Sequence, residues 1–358
     1  MRRCPECGVP LIIRGVGRWM PNGTLVNPFN HYIRHTFVEA DFIPSIRDLV
    51  SQKIGVNVNP IFFEAQRNAI CLVVEPLLRE QVRKAMAHFS PLKHLTMRFF
   101  NSLAAAIGMG HSETVKYEPG KLGVARVRNP FDLDLMGAVV CGAFEALEGK
   151  PYGPSWQKKD EDFVLTVRPI AQKPEISSRF VVGVEPTQPG EYTMPTCPHC
   201  HLPLELRHLE WIPRDGIILD RRRGVRMIGT DAHAPSMVIR EMAEELGLEA
   251  IKLALEVSRE YTVRLLQDLR LVPEDTKGRE EEIYWKLVEL MPLHGQGLVT
   301  HIERKAGCRL EITVINPYDH HLIAGRLQGY YEQVEKIPAS VTYDFLKKNH
   351  LKYSINSR

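Results

Sequence analysis

The feature that most constrains this chain is an internal repeat, marked by two Cys-Pro-x-Cys pairs. Cys4-Pro-Glu-Cys-Gly-Val-Pro-Leu-Ile-Ile-Arg14 lies over Cys197-Pro-His-Cys-His-Leu-Pro-Leu-Glu-Leu-Arg207, with six of the eleven positions identical. A repeat sets the folding unit and so comes before any other pattern. Trp19 and Gly23 answer Trp211 and Gly216, Glu64 and Arg67 answer Glu256 and Arg259, and Gly108-Met-Gly110 answers Gly295-Gln-Gly297. The longest block carries Asn129-Pro-Phe-Asp132 onto Asn316-Pro-Tyr-Asp319, Gly142 onto Gly329, Glu145 onto Glu332 and Pro151 onto Pro338, at a constant spacing of 187. All these matches keep one order. The chain therefore divides into repeat one over 1–168, a proline-rich linker over 169–194, and repeat two over 195–358.

The local patterns agree between copies. After each cysteine pair the sequence predicts a short β-hairpin with Asn22-Gly23 or Asp215-Gly216 at its turn. An amphipathic helix follows, over 43–54 in one copy and 236–246 in the other, where Ser236 is the expected N-cap and Gly247 the stop. Two or three further helices run to Ile107 and Leu293. Strands then come after each Gly-x-Gly, over 123–128 and 308–315, the second alternating as a half-buried strand does. Asn-Pro starts another helix, with Asp132 or Asp319 as N-cap, and a last strand closes each copy. Each half is expected to be α+β, a helical cluster on a small antiparallel sheet.

Two thiolates three residues apart at a tight turn make a metal knuckle, but a closed tetrahedral site needs four ligands. Neither repeat has a second cysteine pair. If the copies pack about a pseudo-twofold axis, Cys4, Cys7, Cys197 and Cys200 form one Cys4 site, a pseudo-dimer within one chain. Zinc is the default metal, and a rubredoxin-like iron centre uses the same ligand set. A redox Cys-x-x-Cys would open a helix, whereas Pro10 and Pro203 follow closely here. His199, His201 and His208 have no counterparts in repeat one, which disfavours a separate Cys2His2 site in each copy. With four sulfurs the site is closed and structural. The remaining cysteines, Cys71, Cys141 and Cys308, are expected to be small buried hydrophobes.

Composition limits the rest. The count of 46 Lys and Arg against 43 Asp and Glu is too balanced to predict nucleic-acid binding. No apolar run approaches the roughly 20 residues of a membrane helix, and the start lacks the apolar core of a secretory signal. The expectation is a cytoplasmic protein. Gly108-Met-Gly110 lacks the spacing of a phosphate loop and reads as a tight turn.

The order of parts in each copy is a helical segment, Gly-x-Gly, paired strands, Asn-Pro-aromatic-Asp, a helix with central glycine, and a closing strand. This resembles the 4-vinyl-reductase-like domain, a small-molecule- or hydrocarbon-binding domain. That domain is related to bacteriochlorophyll 4-vinyl reductase and to the sensor domains of aromatic-responsive regulators, and its fold is shared with subunits of the vesicle-trafficking particle. The resemblance covers most of each half and implies an apolar or tetrapyrrole-like ligand held between helices and sheet. One departure is that the family often carries cysteines around its last strands. The segments 163–167 and 352–355 have none, and the knuckle stands at the front of each repeat.

Glu64, Arg67, Glu256 and Arg259 recur at i, i+3 on predicted helices, where they brace the helix or line a pocket, and they are the candidate ligand-binding residues. The basic run of Arg221, Arg222, Arg223 and Arg226, with Arg2 and Arg3 beside the first knuckle, keeps nucleic acid as an alternative partner, although a solvated hairpin loop explains the run more simply. His31, His35, His320 and His321 read as exposed. No nucleophile elbow, HExxH, Rossmann or kinase motif is present. The sequence thus points to a non-catalytic sensor, carrier or accessory subunit. A reductase-type enzyme acting on such a ligand and a zinc-knuckle nucleic-acid-binding regulator are the alternatives.

Overall fold

The computed structural model describes residues 1–75, 78, 90–183 and 186–358. In repeat one, β1 (Arg18–Trp19) and β2 (Leu25–Val26) form the hairpin, and β3 (Arg34–Glu39) follows. Helices α1 (Phe42–Ile54), α2 (Asn59–Val74) and α3 (Ser90–Ala106) come next. The turn at Gly108 and Gly110 leads into β4 (His111–Glu118), β5 (Leu122–Arg128), helix α4 (Leu133–Glu148), β6 (Tyr152–Lys159) and β7 (Asp162–Pro169). Repeat two has the same plan. Its front strands are β8 (Leu209–Ile212), β9 (Ile217–Asp220) and β10 (Val225–Asp231), followed by helices α5 (His233–Leu246), α6 (Leu248–Asp268) and α7 (Glu280–Val288). It ends in β11 (Leu298–Lys305), β12 (Arg309–Ile315), α8 (His320–Glu335), β13 (Ala339–Lys347) and β14 (His350–Ser357).

Each repeat closes with a four-stranded antiparallel sheet, ordered β4-β5-β7-β6 or β11-β12-β14-β13. The α+β class with two similar halves is as expected. Alternation fixes the buried face of β12, where Leu310, Ile312 and Val314 are all core residues. Asp132 accepts the Leu135 N–H, and Asp319 accepts those of His321 and Leu322, so both repeated aspartates cap their helices.

The front hairpins do something the sequence did not disclose. They fuse into one six-stranded sheet, β1-β2-β3-β10-β9-β8. Strands β3 and β10 pair antiparallel with Phe37 opposite Gly229, which puts a pseudo-twofold axis between the repeats. The first helices are exchanged across it. Helix α1 packs on α6, with the Phe42 and Tyr261 rings 4.9 Å apart and the Tyr261 hydroxyl donating to Asp41 at 2.7 Å. Helix α5 packs on α2, where Gln66 donates to Asp231 at 2.7 Å.

Many of the repeated residues serve this union. The Trp19 indole donates to Leu293 O at 2.7 Å, and Trp211 donates to Ala106 O at 2.9 Å, each into the other half. The hairpin glycines lie on the Gly-x-Gly turns opposite. A Cβ on Gly23 would stand 2.6 Å from the Gly297 carbonyl carbon, and one on Gly216 would stand 2.0 Å from that of Gly110. Asn316 and Asn129 donate to Asn22 O and Asp215 O, again across the seam. The linker is docked as well: Ser177 and Phe180 are buried, and the Asn68 side-chain amide donates to both of their carbonyls.

Two local expectations are corrected. Helix α5 starts at His233, ahead of Ser236, because the Asp231 carboxylate accepts the N–H groups of His233 and Ala234. The Ser236 hydroxyl instead donates to Asp319 at 2.8 Å. Cys141 is buried as expected, but Cys71 is half-buried and Cys308 is exposed in the β11–β12 turn, in the left-handed region at φ 55°.

Candidate metal centre and ligand cavities

The two knuckles meet. The Sγ atoms of Cys4, Cys7, Cys197 and Cys200 all lie within 4.8 Å of one another. Cys4 and Cys197 are 3.7 Å apart, and Cys7 and Cys200 are 3.5 Å apart. Four sulfurs at about 2.3 Å from a tetrahedral ion stand about 3.8 Å from each other, so the cluster has the dimensions of a Cys4 metal site; a disulfide needs about 2.05 Å. Each knuckle is a closed turn. Cys4 N–H donates to Val9 O and Gly8 N–H to Cys4 O, and the same pair recurs as Cys197 to Leu202 and His201 to Cys197. Gly8 takes the left-handed region at φ 75°, and His201 occupies the same place at φ 61°. Burial pushes the Cys4 thiol up, but the N–H groups of Cys7 and Glu6 and the neighbouring thiols outweigh it and bring it down to about 6. Cys7 is pushed up to about 12, first by burial and then by the other thiols, against the N–H of Val9. Like charges this close do not all ionise without a cation among them.

The repeated Glu/Arg residues tie helices together. Arg67 donates to Glu145 at 2.9 Å and to Glu64 at 3.3 Å, bridging α2 and α4, and Lys173 from the linker joins at Glu145. Arg259 donates to Glu332 at 2.9 Å, bridging α6 and α8, while Glu256 meets Lys53 of α1 at 3.1 Å. The helices approach closely there: a Cβ on Gly142 would stand 2.4 Å from Arg67 O, and one on Gly329 2.9 Å from the Thr262 side chain. None of these four residues lines either cavity described below.

The arginine run is a solvated loop only in part: Arg221 and Arg222 are exposed in the β9–β10 turn, as expected, whereas Arg223 and Arg226 turn inward. Arg223 pairs with Asp220 at 2.7 Å and with buried Glu39 at 2.5 Å, and Arg226 donates to Gly108 O and Asn129 O. Arg221 and Arg222 pair with Glu210 and Glu205. The buried floor beneath them, which sequence reasoning missed, holds Glu39 between Arg223 and Arg326, with Arg326 at 3.0 Å. These guanidinium groups hold the Glu39 carboxyl well below the usual carboxylate range despite burial. The histidine expectation also changes: His31 is exposed, but His35 and His320 are half-buried, and His321 is buried against Tyr343 with Nδ1 2.8 Å from its hydroxyl.

Two cavities share related lining positions, the first against the central sheet and the second among helices. The first, about 80 Å³, lies between α2, α3 and the sheet and is lined by Leu25, Phe37, Ile70, Leu103, Ile107 and Met109, together with His35. The second, about 220 Å³, lies between α6, α7 and α8. At the spacing of the Gly-x-Gly turns, Ile107 and Met109 of the first correspond to His294 and Gln296 of the second. At the spacing of the Glu/Arg pairs, Ile70 and Val73 correspond to Thr262 and Leu265. Each cavity contains a histidine whose Nε2 is buried without a hydrogen-bond partner, His35 in one and His294 in the other. Burial lowers His35 to about 4; burial, with Arg223 nearby, lowers His294 to about 3, so both rings are neutral near pH 7.

No protein-family model matches the chain, and a search of curated proteins finds no match. Among solved structures, the chain is similar to the phenol-responsive sensory domain of the transcription activator PoxR, solved with phenol, at 14% identity and a TM-score of 0.33. That match covers 42% of this chain and 85% of that one. It is also similar to an Fe(II) unliganded H-NOX protein from K. algicida at 17% identity and a TM-score of 0.28, covering 37% of this chain and 76% of that one.

Proposed function

We propose that this protein is a non-catalytic small-molecule-binding module, a sensor, carrier or accessory subunit, made of two tandem 4-vinyl-reductase-like repeats. One structural zinc at Cys4, Cys7, Cys197 and Cys200 clamps the repeats, and its closed four-sulfur shell leaves no position for a substrate. The observation that carries the binding reading is the pair of corresponding hollows, each with a buried imidazole nitrogen left without a partner. A buried polar atom without a partner is costly, and a ligand's polar group relieves that cost. Size narrows the ligand: a cavity of ~150 Å³ holds benzene, so hollows of about 80 and 220 Å³ suit a hydrocarbon-derived molecule of one ring or less far better than a tetrapyrrole.

Native mass spectrometry of the freshly purified chain is the test. It should give one zinc per chain and a retained small molecule, or saturable uptake of toluene that Leu265→Trp weakens by filling the second cavity. Two metals per chain, or none in protein purified anaerobically, would overturn the shared clamp. Absence of any saturable apolar ligand would overturn the binding reading.

A further inference from the structure

The second cavity differs in chemistry from the first, and that difference specifies its ligand. Its apolar wall is Leu265, Leu287, Leu290 and Met291, while Arg222, Arg223, Arg279, Lys286 and Arg326 also line it, against Glu282 and Glu289. The carboxylates that balance the deepest cations do not line the hollow. Buried Glu39 pairs with Arg223 and Arg326, and buried Asp220 with Arg223; of the lining residues, neutral Gln296 accepts from Arg326 at 3.3 Å. At the floor the guanidinium groups therefore form its charged surface. Arg223 Nη2 faces only the weak thioether acceptor of Met227 at 3.1 Å. At the lip, Arg279 pairs with Glu282 and Arg222 with Glu289, whereas Lys286 forms no ion pair among the described residues. His294, 4% exposed, adds its unpartnered Nε2.

We propose that the second cavity binds a compact apolar carboxylate, one ring or a short chain ending in a single acid group. The acid takes its hydrogen bonds from His294 and the arginine floor, and the hydrocarbon body lies on Leu265, Leu287 and Leu290. This rests on the small-molecule reading above and adds the ligand's charge. The internal comparison supports it: where repeat one keeps Ile107 and Val139, repeat two has His294 and Arg326 at the 187 spacing. Two of the apolar positions of one copy are thus a polar and a cationic side chain in the other.

The test is calorimetric titration of the full chain at pH 7 with benzoate and hexanoate against benzyl alcohol and hexanol. A charged hydrogen bond is worth enough to make the acids roughly tenfold to a hundredfold tighter than the alcohols. Arg326→Met would strand Glu39 and risk the fold, so His294→Phe, which removes the unpartnered nitrogen and keeps the ring's bulk, probes the acid contact, and Leu287→Trp blocks the cavity. The expected result is acid preference reduced by His294→Phe and acid binding abolished by Leu287→Trp. Equal affinity for acids and alcohols, or acid binding untouched by Leu287→Trp, overturns the carboxylate assignment and leaves the binding module standing. If neither acids, alcohols nor toluene bind, both readings fall together.

Discussion

The two repeats share a skeleton but differ inside it. In repeat one the Glu/Arg pair is sealed: the Arg67 side chain is 1% exposed and held by two carboxylates, and the neighbouring cavity is small and apolar. In repeat two the corresponding Arg259 is 26% exposed, and charge has moved into the cavity itself through Arg223, Arg326 and His294. A duplicated fold therefore holds its strand order and its caps while its polar interior changes place. Many parts facing the twin are alike, and the parts lining the two cavities differ.

The sharpest way to break this comparison is at the seam, where the halves should behave identically. Cys4→Ser with Cys7→Ser, or Cys197→Ser with Cys200→Ser, should each release the metal and destabilise both halves by several kcal/mol, because a structural site supplies folding energy directly. Thermal melts with metal analysis should find the two double variants equivalent; loss of one half alone would contradict a shared clamp. Away from the seam the halves should diverge. Arg67→Met strands buried carboxylates and should cost about 3–5 kcal/mol, while Arg259→Met should cost about 0–1 kcal/mol. Denaturant unfolding measures both, and equal costs would erase the contrast.

A smaller effect separates seam glycines from turn glycines. Gly216 (φ 66°) and Gly224 (φ 70°) are both left-handed, but only Gly216 lies against backbone of the other half. Gly224→Ala should cost about 1 kcal/mol for conformation alone, and Gly216→Ala about 1–3 kcal/mol more from overlap. A further, pH-dependent effect is on acid stability. His35 and His294 are neutral when folded and take up protons first when unfolded, so stability is full above about pH 6.5 and declines as pH falls toward 4 and then 3. The slope is about 1.4 kcal/mol per pH unit for each ring titrating only in the unfolded chain. His294→Phe should flatten that slope in urea titrations between pH 6.5 and 4, and an unchanged slope would mean that His294 is not the buried neutral ring described.

Much of this was legible in residue order. The cysteine spacing gave the cluster, and Asn-Pro-x-Asp gave both capped helices, since thiolate pairs and N-caps are local signals. What joins the halves was not legible. Trp19, Gly23, Asn129 and their twins stand out as repeated, but repetition does not reveal that each contacts the opposite copy. The exchange of α1 and α5 depends on packing between residues some two hundred positions apart. The buried Glu39–Arg223–Arg326 group was hidden for the opposite reason. Arg223 lies in a run that resembles a solvated loop, and the carboxylate that draws it inward belongs to the other repeat.

The crossed first helices also bear on how the molecule would respond to being cut. Because each copy lends a helix and half of the middle sheet to its twin, severing the tether between them would leave two fragments still embraced. A solitary copy, deprived of that partner, would expose the edge of β3 or β10 and be driven to pair with another of its own kind.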